Sequence, residues 1–212
     1  MTRRITIAGF FFAVAMQATL SSGSIVSGSG SGFNIPDNDP SGITSSIVIS
    51  ADEEIADVEV TLNNLSHSWA GDLKATLSNG TSTADLVVKV GDPGGTSGDS
   101  STFNGNYGFK DGGADLWTAA DNAGFGSPIP SDTYAATGAA NVPVSLIGTF
   151  AGGSTAGTWT LFMSDDSDGD TGALGSWDIA FQTNPGQTIP EPTAVLIWAT
   201  LAGLGMTFRR RR

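Results

Sequence analysis

Gly157-Thr158-Trp159-Thr160-Leu161-Phe162-Met163 and, shortly after it, Ser176-Trp177-Asp178-Ile179-Ala180-Phe181 decide the fold. In the first stretch Trp159, Leu161 and Met163 alternate with Thr158, Thr160 and Phe162; in the second Trp177, Ile179 and Phe181 alternate with Asp178 and Ala180. A period of two places successive side chains on opposite faces of an extended strand, so each stretch reads as a strand with one buried face. Working outward, Val58, Val60 and Leu62 alternate with Glu59 and Thr61, and Leu73, Ala75 and Leu77 with Lys74 and Thr76. Ile43–Ser50, Leu86–Val90 and Ser145–Phe150 add further strand candidates, and no stretch of the body keeps a helical period for ten residues. Short strands separated by Gly, Pro, Asp and Asn turns predict an all-β, antiparallel β-sandwich of jelly-roll type.

Composition narrows the function classes. The chain has 212 residues, 29 Gly, no Cys and a formal net charge of -12, with five Trp and eleven Phe to build a core. Without Cys there is no disulfide scaffold, thiol nucleophile or cysteine-ligated metal site. The charge is unevenly distributed. Arg3, Arg4 and Arg209–Arg212 hold six of the nine basic residues, while residues 25–188 carry 20 Asp and Glu against Lys74, Lys89 and Lys110, a net of -17. A body this acidic is unsuited to nucleic acid, whose phosphates require Lys and Arg.

The two ends read as addresses. Residues 1–24 have a cationic start at Arg3-Arg4, an apolar Ile5–Leu20 and small residues at Ser21–Ser24, the pattern of a secretory signal helix. Ala13-Val14-Ala15 and Ser22-Gly23-Ser24 both fit a small-x-small cleavage site. Residues 25–32 read as a Ser/Gly linker, residues 33–183 as the sandwich and 184–189 as a second linker. At the far end Pro190-Glu191-Pro192 precedes the uncharged Thr193–Phe208 and then Arg209, Arg210, Arg211 and Arg212. The 16 uncharged residues would make a helix of about 24 Å, a weak membrane anchor whose Arg end stays on the cytoplasmic side. This three-part arrangement closely resembles the PEP-CTERM sorting signal of Gram-negative bacteria. The resemblance implies an exosortase-type processing enzyme as partner, passage through the secretion machinery, a transient inner-membrane stage and release to the cell surface or extracellular matrix.

A second resemblance covers the body. Ser66-His67-Ser68-Trp69-Ala70-Gly71-Asp72-Leu73 precedes a strand ending at Ser78-Asn79-Gly80-Thr81, and the closing segment runs from Gly157-Thr158-Trp159 through Asp165-Asp166 and Gly169-Asp170-Thr171-Gly172 to Leu174-Gly175-Ser176-Trp177. Over roughly Ile43–Phe181 the chain resembles the P domain, or Homo B domain, of subtilisin-like proprotein convertases. Its signature falls on His67, Trp69, Gly71, Asp72, Trp159, Asp170, Gly172 and Trp177. In that family the domain follows a protease and stabilises it. Here the 212 residues leave no room for a protease domain upstream, so the resemblance implies a module without peptidase activity of its own.

The catalytic motifs that tempt are incomplete. His67 is the one histidine, at a turn before a strand, and Gly95-Thr96-Ser97, similar to the segment around a subtilisin serine, sits in a Gly/Asp/Ser loop rather than at a helix start. Asp170-Thr171-Gly172 is a single tripeptide, where aspartic protease chemistry needs two carboxylates sharing a proton. Asp165-Asp166-Ser167-Asp168-Gly169-Asp170 packs four carboxylates together, and Asp166, Asp168 and Asp170 have the spacing of the first ligands of an EF-hand. Thr171 and Trp177 then stand where an EF-hand requires Gly and Glu, which leaves either a solvated acidic loop or a calcium corner of another kind. The P-domain resemblance implies calcium somewhere in the module, and Asp92, Asp99, Asp111, Asp115 and Asp121 are equally eligible. Asn64-Leu65-Ser66 and Asn79-Gly80-Thr81 fit the N-glycosylation pattern, which is idle on a bacterial surface protein. Trp159 and Trp177 fall on buried phases, whereas Trp69 and Trp117 lie near loops, where they are available to a carbohydrate.

The sequence therefore predicts a non-catalytic exported surface module with a polysaccharide or protein partner. The alternatives are a protease-associated domain acting in trans on a separate subtilisin-like endopeptidase, and a carbohydrate-binding module.

Overall fold

The computed structural model describes residues 23–95 and 97–184. The signal segment up to residue 22, the Pro190-Glu191-Pro192 motif, the apolar 193–208 stretch and the Arg tail lie outside the described residues. Nine strands form two facing sheets: β1 (Ile25–Ile35), β2 (Asp39–Ile49), β3 (Ile55–His67), β4 (Leu73–Ser78), β5 (Thr83–Val88), β6 (Phe103–Ala114), β7 (Thr133–Tyr134), β8 (Gly157–Asp165) and β9 (Gly172–Thr183). One sheet has the order β1-β9-β3-β6-β7 and the other β2-β8-β4-β5, with antiparallel pairing throughout except between β6 and β7. The all-β sandwich is thus the observed architecture.

The two deciding stretches become β8 and β9, at the centre of opposite sheets. Trp159, Leu161 and Met163 from one and Trp177, Ile179 and Phe181 from the other are fully buried between the layers. The Trp159 and Phe181 rings meet at 4.8 Å, and Trp159 also packs edge-on against Phe150. Ser145–Phe150 is not a strand: α2 (Leu146–Phe150) is a single helical turn capped by Ser145. Asp111 accepts from Ser145 Oγ and from the Leu146 amide at 2.7 Å, so the start of this segment is held as a helix. A second helix, α1 (Leu116–Ala123), is capped by Asp115.

Residues 25–32, read from sequence as a linker, are strand β1, paired along its length with β9. The reason is steric. Gly28 and Gly30 face inward, where a Cβ on Gly28 would stand 2.6 Å from Ile47 and one on Gly30 would collide with the Trp177 indole. The neighbouring strands fill the space that side chains at these two positions would otherwise occupy, while Val26 and Ile35 nearer the ends of the strand pack on the core. Ser24 belongs to the fold as well: its hydroxyl lies 2.9 Å from that of Thr183, and its carbonyl accepts the Thr183 amide at 3.0 Å.

One irregularity positions the candidate site. Along β3 the buried residues are Ile55, Val58, Val60 and Leu62, then Leu65 and His67. The register against β6 shifts between Leu62 and Leu65, where Asn64 takes a left-handed φ of 48° and donates its amide to Asn106 Oδ1. The change of phase turns His67 inward instead of into solvent. Asn184 follows β9 directly, so both described chain ends leave from the end of the sandwich where Ile55 pairs with Thr183. His67 pairs with Gly172 at the other end, roughly 40 Å away at about 3.3 Å per residue.

Candidate functional site

The ends of β3 and β8, the starts of β4 and β9, and the loop that follows β5 meet at this far end. His67 and Asp165 are buried there with their side chains 3.2 Å apart, Nε2 to Oδ2. The other imidazole nitrogen, Nδ1, lies 2.8 Å from the Trp69 carbonyl, and Asp165 Oδ1 accepts the Ser167 amide at 3.1 Å. Gly172 makes this possible, because a Cβ at that position would collide with the His67 ring.

The turn Ser68–Asp72 closes over the pair. Ser68 donates its hydroxyl to Asp170 Oδ1 at 2.7 Å and accepts the Thr171 amide at 3.0 Å, which ties this turn to the loop before β9. The Gly71 amide donates to the Asp99 carbonyl, and a side chain at Gly71 would strike the backbone at residues 97–99. Asp72 is buried beside them. Burial pushes its carboxyl above the ordinary value; Asp165 and Asp170 add to that, against a hydrogen bond from Ser167 and the attraction of His67. Of the signature residues, His67, Trp69, Gly71, Asp72, Asp170 and Gly172 therefore converge on this corner, while Trp159 and Trp177 serve the core, donating their indole N–H groups to the Thr155 carbonyl and to Ser45 Oγ.

Among the described residues the corner has a histidine and a carboxylate, and the hydroxyl of the adjacent Ser68 is hydrogen-bonded to Asp170. Both His67 nitrogens are directed at Trp69 and Asp165, and neither is hydrogen-bonded to a serine or threonine side chain. Ser97 is exposed, and its carbonyl accepts the Trp69 indole N–H at 2.7 Å. Surface grooves of about 370 Å³ beside α1 and about 350 Å³ between the β4–β5 turn and α2 are lined by residues away from the corner.

The candidate calcium residues go separate ways. Asp166 pairs with Lys89 at 3.5 Å, Asp170 takes the Ser68 hydroxyl and Asp168 points to solvent. Among the described residues no three His, Asp or Glu side chains are arranged to hold a metal ion. Of the alternatives, Asp111 and Asp115 cap the two helices, Asp99 Oδ1 accepts the Ser101 amide and Asp92 Oδ1 accepts the Gly94 amide.

The two loop tryptophans differ. Trp117 is half-buried, packed against the core with its indole nitrogen buried. Trp69 is half-buried, and its ring meets that of Phe125 at 6.2 Å and 83°. Phe125, which no sequence motif singled out, is 82% exposed. Its signal was the pair of flanking glycines, Gly124 and Gly126, both at positive φ, which mark a tight turn that displays the residue between them.

No protein-family model matches the chain, and no curated protein matches it. Among solved structures, the serine protease of Aeromonas sobria, on its own and in the complex of that protease with its chaperone ORF2, aligns at 17% identity and a TM-score of 0.42. The alignment covers 76% of this chain and 27% of the matched chain, so the chain spans about a quarter of that length.

Proposed function

We propose that the chain is a non-catalytic docking module of the P-domain type that acts outside the cytoplasm. In this reading the leader exports it and the exosortase-type signal at Pro190–Arg212 delivers it to the surface or matrix. The observation that carries the proposal is the state of the far corner: the one imidazole is committed to a buried carboxylate and a backbone carbonyl. A group held so tightly supports the fold.

A separately encoded subtilisin-like protease is the favoured partner. Six of the eight signature residues that resemble the P domain, His67, Trp69, Gly71, Asp72, Asp170 and Gly172, are engaged in one tied corner, and in that family the domain steadies a protease. Two measurements test this reading. The purified protein is expected to cleave no peptide in a fluorogenic peptide library, and the melting temperature of a subtilisin-like protease encoded beside it is expected to rise on mixing. Peptide cleavage by the purified chain would overturn the first half; an unchanged protease melting temperature would overturn the second. Mass spectrometry of the mature C-terminus, with and without the sorting enzyme, tests delivery: an intact Arg tail in both strains removes it.

A further inference from the structure

The far end of the sandwich holds an apolar ring in water at some structural effort. Phe125 projects from a turn whose flanking glycines are fastened on both sides: the Gly124 amide donates to the Ala120 carbonyl at 3.2 Å and the Gly126 amide to the Ser100 carbonyl at 2.9 Å. Its neighbour Trp69 is fixed by the bond from its indole N–H to Ser97. The two rings are perpendicular, so they present a ring face beside a ring edge and not a flat platform for a sugar.

The surroundings are strongly acidic. The chain segment that carries Ser97 and Ser100 also carries Asp99, and Asp37, Asp72, Asp166, Asp168 and Asp170 share this end. Against them stand Lys74 and Lys89, the latter already paired with Asp166. The raised carboxyl of Asp72 reflects burial within the same crowd of negative charge. Opposite, about 40 Å away, lies the end from which both described chain ends leave, so this surface faces away from any tether at Ser24 or Asn184.

We infer that the surface formed by Trp69, Phe125 and the aspartates around them docks an arginine- or lysine-bearing segment of a partner protein. The inference rests on the docking function proposed above and names its face and the chemistry of its occupant. A guanidinium over an exposed aromatic face gains cation–π attraction, and the carboxylates around it supply both steering and charge-assisted hydrogen bonds.

The test is fluorescence anisotropy of the full chain with a fluorescein-labelled Gly-Arg-Arg-Gly-Arg-Arg-Gly peptide and with the same peptide carrying glutamate for arginine. The arginine peptide is expected to bind and the glutamate peptide not to. Phe125→Ala should weaken binding about fivefold, the scale of one exposed cation–π contact. Asp168→Asn should weaken it to a smaller degree, and raising NaCl from about 50 mM to about 500 mM should weaken it further. Glu59→Gln, on β3 near the opposite end, should leave it unchanged. Absence of binding, or equal binding by wild type and Phe125→Ala, overturns the inference. An equal loss from Glu59→Gln shows attraction to net charge alone and overturns the assigned face, while the protease-melting experiment continues to test the docking function separately.

Discussion

The two ends of the sandwich are closed by different means. At the end where the chain enters and leaves, Ser24 and Thr183 are joined by hydroxyls and backbone groups, all neutral. At the other end a buried histidine–aspartate pair sits beneath a turn, a second buried aspartate lies close by, and the covering loops carry further carboxylates. The neutral clasp buries no charge, although its partners are 159 residues apart in sequence. The histidine–aspartate corner is interdependent, because a buried polar group left without its partner costs its full desolvation. Chemistry-bearing residue types are thus concentrated where the fold can least spare them.

Breaking the pair should give the largest effect. Asp165→Ala leaves a buried imidazole nitrogen without its partner and is expected to lower the unfolding free energy by about 2–3 kcal/mol, measured by urea denaturation. The neutral clasp is worth less: Thr183→Val removes the hydroxyl contacts to Ser24 and should cost about 1 kcal/mol in the same assay. A loss at Thr183 as large as that at Asp165 would erase the contrast between the ends.

Asp72 sharpens the comparison through pH. Its carboxyl is raised in the folded state, so the folded protein holds that proton more tightly than the unfolded chain. The resulting penalty is absent below the ordinary carboxylate value of 3.8 and grows as pH rises through the raised value. Asp72→Asn should therefore lose part of the decline in stability on going from about pH 4 to about pH 7, read from unfolding curves across that window. A pH profile parallel to that of wild type would show that Asp72 does not carry the corner's electrostatic load. The smallest effect belongs to Phe125→Ala, whose side chain lies in solvent: stability should change by no more than about 0.5 kcal/mol. A larger loss would mean that the displayed ring is structural after all.

The sequence disclosed the sandwich through its apolar alternation, because β8, β9 and the first half of β3 bury every second residue. It concealed β1, where the middle inward positions, Gly28 and Gly30, are glycines and the core volume comes from Ile47 and Trp177 of neighbouring strands. Period two was present there as Gly and Ser, but with no hydrophobic contrast to reveal it. It also concealed the inward turn of His67, which depends on a change of register that simple alternation does not anticipate. The signature residues of the corner were legible as a set. Their partners were not, since Asp165 comes from a strand in the other sheet, 98 residues away in sequence. Nor could spacing alone say that in the acidic loop Asp166 turns to Lys89 and Asp170 to Ser68.

The central claim is that His67 holds the corner together and performs no chemistry. It is tested most directly by measuring the melting temperature and the peptidase activity of wild type and His67→Ala in parallel. The expected result is a melting temperature lowered by many degrees in the variant, with no peptide hydrolysis by either protein. Hydrolysis by wild type, abolished in a His67→Ala variant that melts at the wild-type temperature, would contradict it.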